Sequence, residues 1–191
     1  MNGKLLKFIF RAVMVLVLST ATEAAERDGI TMSETMEVSG IHLTLNGMGL
    51  RTYSFLRIPI YVAGLYLEHH SSDSDAILVS SQAKLLYFVF IRDVAAEAAR
   101  KSWREAIDAN CRPPCSLAAE DVRRFLDAVP SVHKGETSTL FFTTQALDIS
   151  INGKLLGRIT DMAFARVILA SFIGKHPTSN ELKRGLLGEA R

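Results

Sequence analysis

Residues 84–94, with the sequence KLLYFVFIRDV, limit the fold of this 191-residue chain more than any other segment. Aromatic, aliphatic and β-branched side chains follow one another there, without the polar alternation of a half-exposed strand. Such a run is typical of a central β-strand that is covered on both faces. The chain therefore needs a sheet with other structure packed on each side of it.

Other segments supply the remaining strands. Residues 41–47 alternate apolar and polar side chains, which is the period of a half-buried strand, and Gly47 and Gly49 then indicate a turn. Residues 52–68 are expected to form one long strand, bent at Pro59 because proline donates no hydrogen bond to a sheet. Later strands are expected at residues 137–144, 146–153 and 154–160.

Helical periodicity appears between and after these strands. Residues 95–109 place apolar side chains, including Trp103, on one face of an amphipathic helix. Ser116 is expected to cap a second helix. Residues 161–173 are apolar nearly all round but too short to cross a membrane, which predicts a buried helix. Because strands and helices do not alternate as βαβ units, the sequence predicts one α+β domain built on an antiparallel sheet.

Residues 1–24 have the character of a secretory signal peptide. Three basic side chains precede an apolar run at residues 12–21, which is about half the roughly 20 residues that a bilayer-spanning helix needs. We expect cleavage after Ala24, which leaves residues 25–191 as one periplasmic or secreted domain. An uncleaved N-terminal anchor is the alternative.

The charge of the mature chain gives no sign of a nucleic-acid partner. Removing residues 1–24 takes away three basic side chains and one acidic one, so the net charge of +2 falls to zero. No basic field remains for nucleic acid, and no acidic tail suggests a cationic partner. The oligomeric state is not encoded in any feature of the sequence.

Cys111 and Cys115 are the two cysteines of the chain. Thiols of an exported protein meet an oxidising compartment, so we expect a local disulfide that closes the loop between them. A redox motif would have two residues between the sulfurs, and here there are three. The five histidines are scattered along the sequence, so neither a metal site nor a cofactor is expected.

Six short motifs occur in a recognisable order. They are LNGMGLR, IYVAGLYLE, FIRDV, the helix with Trp103, INGKLLGRIT and SFIGKHPTSNELKRGLLG. Over residues 38–188 the chain thereby resembles the chalcone isomerase-like family, in its exported bacterial branch. The resemblance implies an open-faced β-sandwich, in which helices pack on a large antiparallel sheet and leave a cleft. One branch of that family closes chalcones to flavanones, and a non-catalytic branch binds fatty acids.

The resemblance also implies particular site residues. Arg51 matches an arginine that both branches use, and Tyr61 falls where the fatty-acid binders tend to carry a tyrosine. The isomerases contribute a tyrosine and an asparagine from the segment after the central strand, and this sequence has neither there. A further polar residue of theirs corresponds to a position near Ala165, which is alanine. The resemblance therefore favours binding over catalysis.

Side-chain alternation points to the same strand. If residues 51–67 form an unbulged strand, Arg51, Tyr53, Arg57 and Tyr61 share one face with apolar neighbours. Such a face suits an amphipathic carboxylate, because a guanidinium donates two parallel hydrogen bonds to the head and rings contact the hydrocarbon. The alternative is that these are ordinary exposed or core side chains. A bulge in the strand would put Arg51 and Tyr61 on opposite faces.

Three functions remain open on the sequence alone. The first is non-catalytic periplasmic binding of a fatty acid or similar hydrophobic carboxylate, anchored by Arg51. The second is an isomerase of the intramolecular lyase type, in which Arg51 polarises a carbonyl group. The third is an envelope interaction module whose cleft is filled by side chains. The sequence has neither a recognisable nucleophile and base nor a phosphate-binding glycine loop.

Overall fold

The computed structural model describes residues 24–189. The signal peptide expected at residues 1–24 lies outside the described residues except for Ala24, and it stays a prediction. Between residues 24 and 189, no helix has both the length and the apolar character that crossing a membrane requires.

Seven strands form one antiparallel sheet in which every strand pairs with the next one along the chain. They are β3 (Thr35–Val38), β4 (Ile41–Tyr53), β5 (Ile58–Leu67), β6 (Lys84–Phe90), β7 (Thr137–Phe142), β8 (Leu147–Ile151) and β9 (Lys154–Ile159). The first two strands, β1 (Ala24–Arg27) and β2 (Ile30–Ser33), form a separate hairpin. β6 lies at the centre of the large sheet, as its sequence predicts.

The two faces of the sheet carry separate apolar cores. Five helices pack on one face: α1 (Ser74–Val79), α2 (Ala96–Asn110), α3 (Ala119–Ala128), α4 (Met162–Ile173) and α5 (Asn180–Leu186). The β1–β2 hairpin packs on the other face through Met32. α4 is the buried helix expected at residues 161–173, and the Asp161 carboxylate caps its first turn. The predicted α+β fold, an antiparallel sheet with helices packed on it, is confirmed.

The prediction of one strand over residues 52–68 is wrong. β4 ends at Tyr53, residues 54–57 form a turn, and β5 begins at Ile58. Ser54 and Arg57 have positive φ angles of 61° and 52°, and the Arg57 N–H donates to the Ser54 carbonyl at 3.1 Å. Left-handed backbone is uncommon for residues other than glycine. Because residues 54–57 contain neither glycine nor asparagine, the sequence does not predict a hairpin turn here.

The prediction of a turn at Gly47 and Gly49 is also wrong. Both glycines lie within β4, and α5 crosses the strand directly over them. A Cβ on Gly47 would lie 2.2 Å from the Gly185 carbonyl oxygen, and one on Gly49 would lie 2.6 Å from the Leu182 carbonyl oxygen. These glycines therefore allow a close approach of helix and strand.

Cys111 and Cys115 form the expected disulfide, with their Cα atoms 5.1 Å apart. Cys111 ends α2, and the bridge closes the loop that leads toward α3. Both sulfurs pack against the apolar core on the helix-covered face. The bridge therefore fixes the connection between two helices of that layer.

Replacing Cys111 and Cys115 together by serine is expected to lower the free energy of unfolding by about 2 kcal/mol. The loop is short, so the cross-link removes only a modest amount of entropy from the unfolded chain. Urea unfolding of the two proteins measures the difference, which should nearly vanish when both are measured in reductant. Equal stability under oxidising conditions would contradict the expectation.

Candidate ligand-binding site

A cavity of about 730 Å³ lies between the helix-covered face of the sheet and helices α2, α3 and α4. It is called the sheet–helix cavity below. Its volume is that of a small-molecule site, for which roughly 300–1,000 Å³ is usual. Much of its wall is aromatic, formed by Phe88, Phe90, Trp103, Phe125, Phe164 and Phe172.

The aromatic wall is held by edge-to-face and tilted contacts between rings from different elements. The Trp103 ring on α2 lies 5.2 Å from that of Phe125 on α3 and 5.7 Å from that of Phe172 on α4. Phe172 in turn contacts Phe88 of β6, with ring centroids 5.4 Å apart. Such contacts stabilise one arrangement of the rings beyond the burial of their area. The wall is therefore a preformed apolar surface.

Arg51 and Tyr61 lie directly opposite each other across the β4–β5 pair. Directly paired residues of antiparallel strands project to the same face, and both side chains line the cavity. The β4–β5 pair has two register shifts, one between Leu45 and Gly47 and one between Arg51 and Thr52, and neither alters the direct pairing of Arg51 with Tyr61. The two residues are therefore neighbours on one face, and the alternative that a bulge separates them is wrong.

The Arg51 guanidinium has few partners in the protein. Its Nη1 donates to the Thr52 carbonyl at 2.9 Å, and no carboxylate among residues 24–189 comes within ion-pairing distance. Arg158 also lines the cavity, but it donates to both oxygens of Asp148 at 2.6 and 2.7 Å. A cation beside an apolar cavity is unfavourable unless it is paired. Arg51 is thus the arginine most suited to receive an anion.

Tyr61 presents a phenol beside that cation. Its ring makes edge contacts with Phe88 and Phe90, at centroid distances of 5.2 and 5.6 Å. Burial raises the pKa of the hydroxyl to about 12, and the Arg51 charge opposes this shift only in part. The hydroxyl has no hydrogen-bond partner within the described part of the chain. At neutral pH it is a protonated donor available to a ligand.

The raised pKa of Tyr61 can be measured as a difference between wild type and Tyr61→Phe. The absorbance of tyrosinate should show one residue that ionises near pH 12 in wild type and is absent from the variant. The pKa of Tyr61 in the folded protein exceeds the ordinary value of 10.0. The contribution of the protonated Tyr61 hydroxyl to the free energy of unfolding is therefore complete below pH 10 and is lost as the pH rises towards 12. Ionisation of Tyr61 near pH 10 would contradict this.

Tyr53 lies at the rim of the cavity, with 63% of its surface exposed. Arg57 is not among the residues that line the cavity. Its Nη2 donates to both oxygens of Glu181 on α5, at 2.8 and 2.7 Å. The turn at residues 54–57 breaks the alternation that placed Arg57 on the same face as Tyr61. The structure therefore brings Arg51, Tyr61 and Tyr53 together and places Arg57 outside.

Other residues of the site could not be recognised in the sequence. The aromatic side chains of α2, α3 and α4 fall on faces that predict ordinary core. Ala95, Ala98 and Ala99 line the cavity at the start of α2, in the segment where the resemblance to the isomerases implies a tyrosine and an asparagine. Ala165 is buried in the core and is not part of the lining. Within residues 24–189, no three ligating side chains are grouped to hold a metal ion.

The chain is similar in sequence to a known protein family and in fold to a solved structure. The model of a family described as chalcone isomerase-like matches residues 24–188. Among solved structures, the crystal structure of a fatty-acid binding protein from Arabidopsis thaliana has a similar fold, with a TM-score of 0.73 at 17% sequence identity. The alignment covers 86% of this chain and 96% of that one. No curated protein matches the sequence.

Proposed function

The chain belongs to the chalcone isomerase-like family, as its motifs indicate, and on that premise we propose that it binds a fatty acid or similar hydrophobic carboxylate without catalysing a reaction. The ligand lies in the sheet–helix cavity. The similarity in fold to a fatty-acid binding protein supports this class of ligand. The geometry of Arg51 and Tyr61 supports the choice of an acid.

The observation that carries the proposal is the pairing of Arg51 with Tyr61 at an apolar cavity. A carboxylate placed there accepts two parallel hydrogen bonds from the guanidinium and a third from the phenol. It also neutralises a charge that has no carboxylate partner among the described residues. An ester or an alcohol would leave that charge unpaired.

The aromatic wall accounts for the hydrocarbon. Each buried methylene contributes about 0.8 kcal/mol, so eight methylenes supply roughly 6 kcal/mol before the costs of association. Aromatic rings that are already packed against one another offer this surface without needing to reorganise. A Kd of 1 μM corresponds to about −8.2 kcal/mol, so the hydrogen bonds to the head group must add to the methylenes, and longer acids should bind more tightly.

Calorimetry of the delipidated protein with saturated fatty acids of increasing length tests the proposal. Affinity should rise about fourfold for each added methylene until the cavity is full. The methyl ester of the same acid is the matched control for the ligand, and it should bind more weakly because it carries no charge. Equal affinities for acid and ester, or no binding of either, would refute the proposal.

An isomerase is the second candidate, because the family match and an arginine at a cavity are both compatible with ring closure. Ala95, Ala98 and Ala99 favour binding instead, since they line the cavity in the segment where the resemblance to the isomerases implies a tyrosine and an asparagine. Absorbance of a chalcone incubated with the protein separates the two. We expect the rate in buffer, and a faster rate that falls in Arg51→Ala would establish an isomerase.

We propose a periplasmic location for this function. The signal sequence expected at residues 1–24 and the disulfide between Cys111 and Cys115 both support an oxidising compartment. The open cavity favours a ligand carrier over an envelope interaction module whose interior is filled by side chains. Fractionation of the producing cells and N-terminal sequencing of the mature protein test the location, with Ala25 as the expected first residue.

A further inference from the structure

Large apolar side chains are exposed mainly at one end of the sheet. Those exposed among the described residues are Tyr53, Phe55, Leu56, Val79, Leu155 and Leu156. All but Val79 belong to the β4–β5 hairpin or the β8–β9 hairpin. The register of the strands from β5 to β8 brings the turns of both hairpins to the same end. Apolar surface is therefore concentrated at one place in the fold.

The tip of the β4–β5 hairpin is the most exposed part of this surface. Phe55 is 91% exposed and Leu56 is 66% exposed. The turn is closed by the Arg57 N–H on the Ser54 carbonyl, and the Arg57 side chain ties it to Glu181 on α5. The tip is thus held in place with its apolar side chains outward, which is unfavourable in water and indicates an apolar partner.

The sheet–helix cavity reaches the surface beside the apolar tips, because an exposed side chain from each tip region also lines it. Tyr53, at the base of the first tip, lines that cavity, and so does Leu156 near the second tip. The strands β6 and β7 separate the two hairpins, which corresponds to a distance of roughly 14 Å at the usual strand spacing. A single broad apolar surface would meet both tips and the cavity mouth at once.

Cations at the same end of the sheet favour an anionic surface. Arg92 follows β6, Lys134 precedes β7 and Lys154 begins β9, and all three are exposed. None of them has an ion-pair partner among residues 24–189. They outnumber the two nearby carboxylates, Asp93 and Glu136, which accept backbone N–H bonds from Lys134 and His133; Asp93 also lies 3.7 Å from the His133 ring. Apolar tips flanked by cations are suited to lipid with anionic headgroups.

We propose that this end of the sheet, formed by residues 53–57, 92, 134 and 154–156, docks on an anionic lipid bilayer. Phe55 and Leu56 enter the interface, and the three cations contact headgroups. The cavity mouth then faces the membrane, so that an acid enters from the bilayer without crossing water. This inference rests on the proposed function, because it supplies the route by which the ligand arrives.

Co-sedimentation with vesicles tests the docking. Wild-type protein should sediment with vesicles of phosphatidylcholine and phosphatidylglycerol, and much less with phosphatidylcholine alone. Phe55→Ser/Leu56→Ser should lower the partition onto vesicles by about tenfold or more. Val79→Ser, at the opposite end of the sheet, is the matched control and should sediment like wild type. Fatty-acid affinity measured without vesicles should be the same in all three proteins.

The outcomes separate the docking from the binding. Wild-type protein that binds fatty acid but does not sediment with anionic vesicles overturns the docking and leaves the proposed function intact. Sedimentation that depends on Phe55 and Leu56, without any fatty-acid binding, supports the docking and removes the proposed function. If the double variant sediments normally but loses a dimer seen by light scattering, a second copy of the chain covers the tips and the proposal is wrong.

Discussion

Arg51→Ala is expected to weaken fatty-acid binding by about ten- to a hundredfold. Hydrogen bonds to a charged group contribute roughly 1.5–3 kcal/mol, and each 1.4 kcal/mol is about tenfold in affinity. The Thr52 carbonyl is the one acceptor that Arg51 contacts within the described chain, so the variant leaves no buried carboxylate unpaired. Calorimetry on delipidated protein measures the loss.

Arg57→Ala is the matched control for Arg51→Ala. It removes a cation from the same hairpin, but one that is bound to Glu181 outside the cavity. Its affinity for the acid should equal that of wild type. Arg51→Lys should give an intermediate loss, because it keeps the charge but not the planar pair of donors. An Arg51→Ala protein with wild-type affinity would remove Arg51 as the anchor.

Gly185→Ala is expected to lower the free energy of unfolding by about 3 kcal/mol through overpacking. In most helices this substitution is stabilising by up to about 1 kcal/mol, since alanine is the better helix former. Here a Cβ would lie 2.3 Å from the Met48 carbonyl oxygen and 2.6 Å from the Gly49 Cα. Both are backbone atoms, so neither can turn aside, and α5 would have to lift from β4.

Gly157→Ala is the control for Gly185→Ala. A Cβ at Gly157 would meet no atom within 4 Å, so stability should change by less than about 0.5 kcal/mol. Urea unfolding of the three proteins measures the differences. A Gly185→Ala protein as stable as wild type, or more stable, would show that α5 does not pack on β4 as described.

The elements that could be predicted are those with a strong local signal. β6 is recognisable because a continuous apolar run is typical of a strand that is covered on both faces. α4 is recognisable because it is apolar all round and shorter than a membrane span. The disulfide follows from two cysteines four positions apart in a chain expected to be exported.

The prediction that Ser116 caps the second helix is wrong, because α3 begins at Ala119 and its N-cap, Ala118, makes no side-chain cap. The other wrong predictions concern features that depend on distant residues or on rare backbone. Ser54 and Arg57 adopt left-handed backbone in the turn at residues 54–57, although neither is glycine. The strand-like sequence pattern of β4 and β5 therefore has no turn residue to interrupt it. Gly47 and Gly49 are interpreted as a turn because the sequence around them does not show that α5, from the other end of the chain, packs on them. A single sequence cannot distinguish a glycine that bends the chain from one that admits a helix.

The polar residues of the candidate site could be selected from the sequence, but its apolar residues could not. Arg51 and Tyr61 stand out because a cation and a phenol interrupt an apolar segment. The aromatic wall does not, because Trp103, Phe125 and Phe172 lie on faces that any packed helix would show. Only the tertiary arrangement leaves a cavity between these rings and the sheet.

The state of the ligand's headgroup tests the central claim most directly. A fatty acid labelled at its carboxyl carbon can be titrated by nuclear magnetic resonance while bound to delipidated protein. Because the Arg51 charge favours the carboxylate, the bound acid should stay ionised to a lower pH than the same acid bound to Arg51→Ala. A bound resonance that titrates identically in the two proteins, or no bound resonance at all, would contradict the account.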